Sequence, residues 1–231
     1  MKKIILSAAL VAIAGFTYAQ KPTAGAVTGE IQLNFQTGTS AVNVVSPDLK
    51  ARYFLADDMA LRLNLGVTSS STSQDVTENP DGTGATGTVE SSTSGFSIGV
   101  GIEKHFAGTE RLSPYIGAGI GYSSSSSSDT WTNASVDQYG VASYVDGYSV
   151  SADGGSVGTF SIRLLAGADY YFVNNVYMGV EVGWGFSSSS EGDSKATVTS
   201  GGTSTTVTSK GGSSSSLSVS TNPGLRLGFR F

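Results

Sequence analysis

Apolar and polar residues alternate with a period of two in eight separate segments of the chain. In each segment Val, Ile, Leu, Phe, Tyr or Ala occupies every second position, and Gly, Ser or a charged residue occupies most positions between. A period of two places neighbouring side chains on opposite faces of a β-strand. The pattern therefore predicts eight strands, at residues 27–35, 49–55, 59–67, 96–103, 116–122, 160–170, 176–186 and 219–231.

The connections between these strands alternate between short and long. The short ones are Ala56-Asp57-Asp58, a turn near Gly108, and Val173-Asn174-Asn175. The longer ones are residues 36–48, 68–95, 123–159 and 187–216. Short turns on one rim and long loops on the other are typical of outer-membrane barrels. A soluble lipocalin-type barrel, the alternative with eight strands, does not usually carry three long Ser-rich loops on one rim. We predict an all-β fold, an eight-stranded antiparallel transmembrane up-and-down β-barrel with long extracellular loops.

The first nineteen residues have the three parts of a secretory signal peptide. Lys2 and Lys3 precede an apolar run at residues 4–16, and Thr17-Tyr18-Ala19 supplies small residues for cleavage. A membrane-anchoring helix is the alternative, but this run is shorter than the ~20 residues that span a bilayer. We therefore expect residues 1–19 to be removed and residues 20–231 to form one outer-membrane barrel domain.

Composition excludes several classes of function. The chain has no cysteine and one histidine, which excludes disulfides, cysteine-based metal sites and multi-histidine centres. Without the signal peptide, 11 basic residues stand against 18 acidic ones, a formal net charge of −7 that does not suit nucleic acid. No later apolar stretch is long enough for a membrane-spanning helix, so a membrane form must be a closed barrel. We expect no cofactor, no bound metal and no nucleic-acid partner.

Aromatic residues test the predicted topology independently. If the N-terminus is periplasmic, odd strands run outward and even strands run back. One aromatic group then lies near the outer interface: Phe35, Phe96, Tyr122, Phe160, Trp184 and Phe186. A second group lies near the inner interface: Tyr53, Phe106, Tyr115, Tyr170, Phe172, Tyr177, Phe229 and Phe231. Two aromatic girdles with aliphatic residues between them are typical of membrane barrels.

The same alternation turns ten charged side chains into the barrel interior. They are Glu30, Lys50, Arg52, Arg62, Glu103, Arg163, Asp169, Glu181, Arg226 and Arg230. An eight-stranded barrel is just wide enough for its side chains to fill it. We expect these charges to form an ion-pair network that closes the lumen. The alternative is a narrow conducting path along a charged wall.

Catalysis is not expected, and no catalytic residue is assigned. Eight-stranded outer-membrane enzymes such as lipid A acylases and deacylases resemble one another in having a histidine with a serine and an acid near the outer leaflet. His105 lies instead at the periplasmic end of the fourth predicted strand, where it is expected to be an interfacial polar residue near Glu103. Serine is too abundant to mark a nucleophile.

The long loops carry turn signals of their own. Asp146-Gly147, Gly201-Gly202 and Asn79-Pro80-Asp81-Gly82 each predict a turn inside a loop. The loops are therefore expected to protrude as β-hairpins whose edges recruit an extracellular protein or host-surface partner. Candidate contact residues are Trp131, Tyr139, Tyr144 and Tyr148. The alternative is that these aromatics only stiffen a hydrophilic cover. The loop aspartates lack a regular calcium-ligand spacing.

Several short motifs resemble those of a known family. The last strand ends in Leu227, Phe229 and Phe231, which resembles the C-terminal insertion signal of outer-membrane proteins, although Arg226 occupies its glycine position. Residues 47–61, 112–119 and 166–172 resemble strand segments of small porin-family barrels. The resemblance is to the OmpX/OmpA-like outer membrane β-barrel family. It implies the outer membrane of a Gram-negative bacterium, with loops at the cell surface and termini in the periplasm.

The sequence therefore predicts a small outer-membrane barrel with a side-chain-plugged lumen and a structural or adhesin-like role carried by its hairpins. A narrow porin for small solutes or ions is the alternative. The expected partners are outer-membrane lipids including lipopolysaccharide, and the outer-membrane assembly machinery during insertion. We expect a monomer.

Overall fold

The computed structural model describes residues 21–38 and 41–231, and the predicted signal peptide at 1–19 lies outside the described residues. Within these ranges the chain is built of antiparallel strands. They are β1 Val27–Gly38, β2 Ala41–Ala56, β3 Met59–Thr77, β4 Thr86–His105, β5 Leu112–Val136, β6 Ala142–Val173, β7 Val176–Glu191, β8 Ser194–Ser200, β9 Thr203–Ser209 and β10 Ser213–Arg230.

Eight of these strands close into a hydrogen-bonded ring. The order runs β5-β4-β3-β2-β1-β10-β7-β6, and the antiparallel pairing of β5 with β6 closes it. Pairing of β10 with β1 joins the two ends of the chain, with Leu227 opposite Ile31. The predicted eight-stranded up-and-down barrel is therefore confirmed, and closure leaves its wall without a free strand edge.

The outer face of the ring is apolar and the inner face is charged, as the alternation predicts. Leu49 and Tyr53 are 60% and 47% exposed, whereas Lys50 and Arg52 between them are 6% and 1% exposed. A continuous band of exposed Leu, Ile and Val is what lipid covers in a membrane barrel. No helix long and apolar enough to cross a membrane occurs in residues 21–38 or 41–231.

The short turns lie together at one end, which we call the short-turn rim. They are Asp57-Asp58, residues 106–111 and Asn174-Asn175, all as predicted. We call the opposite end the long-hairpin rim.

The long connections at the long-hairpin rim are largely paired strands, as the prediction of protruding β-hairpins requires. β3 and β4 stay in register as far as Thr77 opposite Thr86, and β5 continues to Val136. Ser92 and Ser128 share a side-chain hydrogen bond of 2.8 Å across β4 and β5. Runs of Ser and Thr lack the apolar alternation that marks a strand in sequence, but hydroxyl pairs stabilise neighbouring strands once they align.

One of the three predicted turns is wrong. The β5–β6 connection lies at residues 137–141, where the Asp137 carboxylate accepts hydrogen bonds from the backbone N–H groups of Tyr139 and Val141. Asp146-Gly147 lies inside β6, in a bulge opposite Asn133, and the Gly147 N–H donates to the Asn133 side chain at 3.1 Å. The Asp-Gly signal marked a backbone with positive φ, here a bulge rather than a hairpin turn.

The other two predicted turns are confirmed. Gly201 and Gly202 join β8 to β9 with φ of 55° and 78°, the left-handed conformation of a two-residue hairpin. The Gly82 N–H donates to the Asn79 carbonyl in the β3–β4 turn.

The predicted hairpins are not separate from one another. Beyond the ring, β4 remains paired with β5, β5 with β6, β6 with β8, and β8 with β9. β6 passes from β7 to β8 near Gly154 and Gly155, where the Gly192 N–H donates to the Ser156 carbonyl. We call this extension the protruding sheet; it comprises residues 68–95 of β3 and β4, residues 123–156 of β5 and β6, and β8 with β9.

Candidate functional site

The inward-facing charges near the short-turn rim meet around Arg52 of β2. Its guanidinium lies 2.5 Å from Glu30 of β1, 2.9 Å from Glu103 of β4 and 2.8 Å from Asp169 of β6. All four side chains are at most 1% exposed. Arg52 therefore ties three strands of the wall together through the middle of the barrel.

Arg226 of β10 is a second centre beside the first. Its Nη1 is 3.1 Å from Glu30 Oε2 and 3.5 Å from Glu181 Oε2, and its Nη2 is 2.6 Å from Asp169 Oδ1. Glu30 and Asp169 each bridge Arg52 and Arg226, so the two guanidinium groups share their carboxylates.

Arg62 of β3 extends the network toward the long-hairpin rim. It donates to Glu103 at 2.9 Å and to both oxygens of Glu181, at 2.7 and 3.0 Å. Lys50 approaches Glu181 at 3.8 Å. Tyr115 adds β5 to the strands that contribute to the network, because its hydroxyl donates to Glu181 at 2.8 Å.

We call this network the lumen plug. Its members are Glu30, Lys50, Arg52, Arg62, Glu103, Tyr115, Asp169, Tyr177, Glu181 and Arg226. Four carboxylates balance four cations, and every strand of the ring contributes at least one side chain. Burying charge is costly unless each group is paired and hydrogen-bonded. Neutrality and shared partners are what allow so many charges to fill the lumen.

Tyrosine rings pack around the guanidinium groups. The Arg52 guanidinium lies 5.1 Å from the centre of the Tyr177 ring, and that of Arg226 lies 5.2 Å from the Tyr115 ring. The Tyr177 hydroxyl donates to Glu30 at 2.7 Å. The prediction that Tyr115 and Tyr177 belong to the inner aromatic girdle is wrong. Tyr177 precedes the outward-facing Met178, so strand alternation turns it into the lumen.

Arg163 and Arg230, which the alternation also places inward, lie outside the plug. Arg163 is exposed and forms no ion pair with the four carboxylates of the lumen plug. Arg230 lies at the short-turn rim, where it donates to the Lys21 carbonyl at 3.2 Å. Lys21 in turn donates to the Ala107 carbonyl, so the segment 21–26 crosses this end of the barrel.

A water-accessible space of about 140 Å³ lies on the long-hairpin side of the plug. We call it the vestibule. Its lining includes Lys50, Arg62, Asn64, Arg163 and several glycines. Arg163 is exposed in this lining, whereas Glu181 is shared by Arg62, Lys50 and Arg226. The vestibule ends at the plug.

His105 is buried rather than interfacial, but it does lie beside Glu103. Its Nε2 is 3.3 Å from Glu103 Oε2, and its Nδ1 is 3.0 Å from the Ser113 hydroxyl. This serine–histidine–acid contact was missed in the sequence because Ser113 follows on the next strand. Ser113 is 3% exposed, so a substrate has no access to its hydroxyl. In residues 21–38 and 41–231, no group of three His, Cys, Asp or Glu side chains is arranged to hold a metal ion.

The four predicted surface aromatics all lie on the β5–β6 hairpin. Tyr139 is 81% exposed at the hairpin turn. Trp131 is half-buried, and in the sheet register it lies opposite Val150. The Tyr144 hydroxyl donates to Asp146 at 3.3 Å, and Tyr148 is half-buried in the β6 bulge. Tyr139 alone of the four is presented fully to solvent.

The last two aromatics end the chain at the short-turn rim. Phe229 lies opposite Val176 in the ladder, and Phe231 is 86% exposed. Their role in an insertion signal stays a prediction.

Comparison with known proteins shows the family of this chain. Residues 31–231 match the model of the OmpA-OmpF-like porin family. Outer membrane porin F of Pseudomonas fluorescens is 31% identical over 166 residues, which cover 68% of this chain and 41% of that protein. The chain thus spans about two fifths of the length of this curated relative.

Two solved structures also show similarity to this chain. The N-terminal β-barrel domain of Pseudomonas aeruginosa OprF is 15% identical with a TM-score of 0.43, covering 91% of this chain and all of that one. Ail, the attachment invasion locus protein of Yersinia pestis, is 15% identical with a TM-score of 0.37, covering 89% of this chain and 97% of that one.

Proposed function

The chain belongs to the OmpA-OmpF-like porin family, and from this membership we propose that it is an outer-membrane barrel with a closed lumen whose protruding sheet binds a partner at the cell surface. The proposed orientation places the long-hairpin rim outside the cell and both termini in the periplasm. The proposed role is structural or adhesive rather than enzymatic.

The lumen plug is the observation that supports a closed lumen. A conducting path must pass Arg52, Arg226 and the carboxylates they share, all at most 1% exposed. Opening such a path separates several buried ion pairs at once. Breaking one buried pair by removing a partner already costs about 3–5 kcal/mol. Spontaneous opening of the intact plug is therefore expected to be rare.

The protruding sheet supports the binding role. It extends far beyond the ~10 residues per strand that cross a bilayer, since β5 has 25 residues and β6 has 32. Its tip presents Tyr139, an exposed aromatic of the kind that anchors protein interfaces.

A narrow porin is the second candidate, and the vestibule favours it. The vestibule is lined by the cationic residues Lys50, Arg62 and Arg163. A rearrangement of the plug would join this space to the short-turn rim and give a channel with a cationic entrance.

Planar-bilayer recording separates the two candidates. The wild-type barrel is expected to be silent, and Arg52→Gln to show brief small openings, because three carboxylates lose their shared partner. Arg163→Gln is the matched control, since it also removes a lumen arginine but touches no ion pair of the plug. Frequent, stable, porin-sized channel openings of the wild type would support the narrow porin instead.

Replacing residues 124–158 with a short Gly/Ser turn tests the surface role. The ring and its plug should still fold and resist heat in detergent. Any adhesion or partner capture that depends on the β5–β6 hairpin should disappear, and full retention of binding would move the function to the β8–β9 hairpin or to the barrel itself.

A further inference from the structure

β9 is the terminal strand of the protruding sheet and has one free edge. It pairs with β8 from Ser194 opposite Ser209 to Ser200 opposite Thr203, without a register shift. On its other side the described part of the chain supplies no further strand. All seven residues of β9 are exposed.

This edge lacks the sequence features that usually prevent a free strand edge from pairing with another chain. Natural sheets blunt such edges with charges, proline, bulges or very short strands. β9 reads Thr-Ser-Thr-Thr-Val-Thr-Ser, with no charge, no proline and no bulge. Its base is held by Asp193 and Lys210, whose side chains meet at 2.5 Å. A straight, neutral edge is therefore offered to solvent on a fixed hairpin.

The hairpin geometry identifies the backbone groups that face outward. In a two-residue hairpin the residue pair next to the turn, here Ser200 and Thr203, is joined by two backbone hydrogen bonds. Along the two strands, hydrogen-bonded pairs then alternate with non-hydrogen-bonded pairs. Thr197–Thr206 and Thr199–Ser204 are consequently the close, non-bonded pairs. Their side-chain oxygens do meet, at 2.9 and 2.8 Å. The backbone groups of Ser204, Thr206 and Thr208 thus point to the free edge.

We propose that a second copy of this chain pairs with this edge through its own β9, in antiparallel register centred on Thr206. β8 already pairs with β9 antiparallel, and neutral hydroxyls meet across that pairing at Thr197–Thr206 and Thr199–Ser204. A second β9 offers the same chemistry without charge repulsion. Thr206 opposite Thr206, and Ser204 opposite Thr208, would give about six main-chain hydrogen bonds.

The symmetry of this pairing determines the orientation of the second copy relative to the first. Two antiparallel neighbouring strands are related by a twofold axis perpendicular to their sheet. Because the protruding sheet continues the barrel wall, that axis is roughly perpendicular to the barrel axis, and rotation about it reverses the barrel. The two barrels therefore face each other from opposed membranes. The pairing joins two cells, and it rests on the proposed outward orientation of the long-hairpin rim.

Cysteine cross-linking between two cell populations tests the pairing, since the wild-type chain has no cysteine. In the proposed register Thr205 of one copy is a non-bonded neighbour of Val207 of the other, a geometry suited to a disulfide. Cells carrying Thr205→Cys mixed with cells carrying Val207→Cys should give a disulfide-linked dimer under oxidation. Either population alone should give none. Absence of the dimer from the mixture would overturn the proposal.

Cell settling provides a second readout. Thr206→Pro removes an outward N–H and leaves the β8–β9 ladder intact, and it should reduce clumping of expressing cells at least several-fold. Thr206→Val keeps the N–H and should clump like the wild type. Protease treatment of intact cells separates the two proposals. Cleavage at Gly201-Gly202 without clumping rejects the pairing alone, whereas protection of this hairpin rejects the outward orientation and the pairing with it.

Discussion

Asp169 and Arg226 meet across a glycine. Their side chains stand on β6 and β10, two strands that do not pair with each other, and Gly179 of β7 lies between them in the ladder. Asp169 Oδ1 and Arg226 Nη2 are 2.6 Å apart, directly over Gly179. A Cβ atom on Gly179 would lie 2.5 Å from each of these two atoms. Only glycine leaves room for this ion pair.

Gly179→Ala is therefore expected to destabilise the barrel. The added methyl must displace Asp169 or Arg226, both fully buried, which should cost about 3–5 kcal/mol in the free energy of unfolding. Urea unfolding in detergent or lipid measures it. Gly185→Ala on the same strand is the control, because its Cβ meets nothing nearer than the Ile162 carbonyl at 3.5 Å. Equal stability of the two variants would show that the ion pair does not need this space.

Tyr177→Phe is expected to weaken the plug without opening it. The change removes the hydroxyl that donates to Glu30 at 2.7 Å but keeps the ring beside Arg52. Glu30 retains its two arginine partners, so the expected loss is about 1–3 kcal/mol in unfolding free energy. Bilayer recordings should stay silent. Tyr122→Phe, on the exposed outer face, should change neither quantity.

Protease treatment of whole cells checks the orientation of the barrel. Cuts are expected in the turns at residues 78–85, 137–141 and 201–202, because paired strands resist proteolysis better than turns do. Asp57 and Asn174, in the short turns, should be protected until the cells are opened. Cleavage at these two positions in intact cells would reverse the proposed topology.

Acid is expected to loosen the β8–β9 hairpin. A hydrogen bond from Lys210, followed by one from the Gly211 backbone, lowers the pKa of Asp193 below its usual value of 3.8. A carboxylate with a lowered pKa stabilises the folded hairpin above its ordinary pKa, and this stabilisation is lost as the pH falls through the lowered value.

Amide hydrogen exchange in β9, compared with Asp193→Asn, measures this effect. The wild type should be better protected than the variant at neutral pH, and the difference should disappear as the pH falls below 3.8 and through the lowered pKa of Asp193. Identical protection at neutral pH would mean that the Asp193–Lys210 contact does not hold the hairpin.

Tyr139→Ala should reduce any partner binding without lowering stability. Tyr139 is exposed at the tip of the protruding sheet, so its ring contributes little to folding. A loss of at least tenfold in affinity is expected if it anchors a partner. Trp131→Ala is a useful comparison, since Trp131 is half-buried in the sheet and its loss should lower stability as well. Unchanged binding in Tyr139→Ala would place the contact elsewhere on the sheet.

The sequence by itself determined which side chains face inward. Lys50 and Arg52 lie inside and Leu49 and Tyr53 outside because strand alternation is a local property of the backbone. The positions of the short turns and of the Gly201-Gly202 hairpin could also be predicted from the sequence, since a few consecutive residues fix their backbone conformation.

The tertiary structure alone decided which inward residues meet. Arg52 contacts Glu30, Glu103 and Asp169 from three other strands, and Arg163 contacts none of these acids, although both arginines face the lumen. Their different heights in the barrel follow from the stagger of the closed ring, which no single strand encodes. The same holds for the protruding sheet. Asp146-Gly147 forms a bulge because hydrogen bonding between β5 and β6 overrides the local turn signal. β6 changes its partner strand from β7 to β8, and this pairing too depends on segments that are distant in sequence.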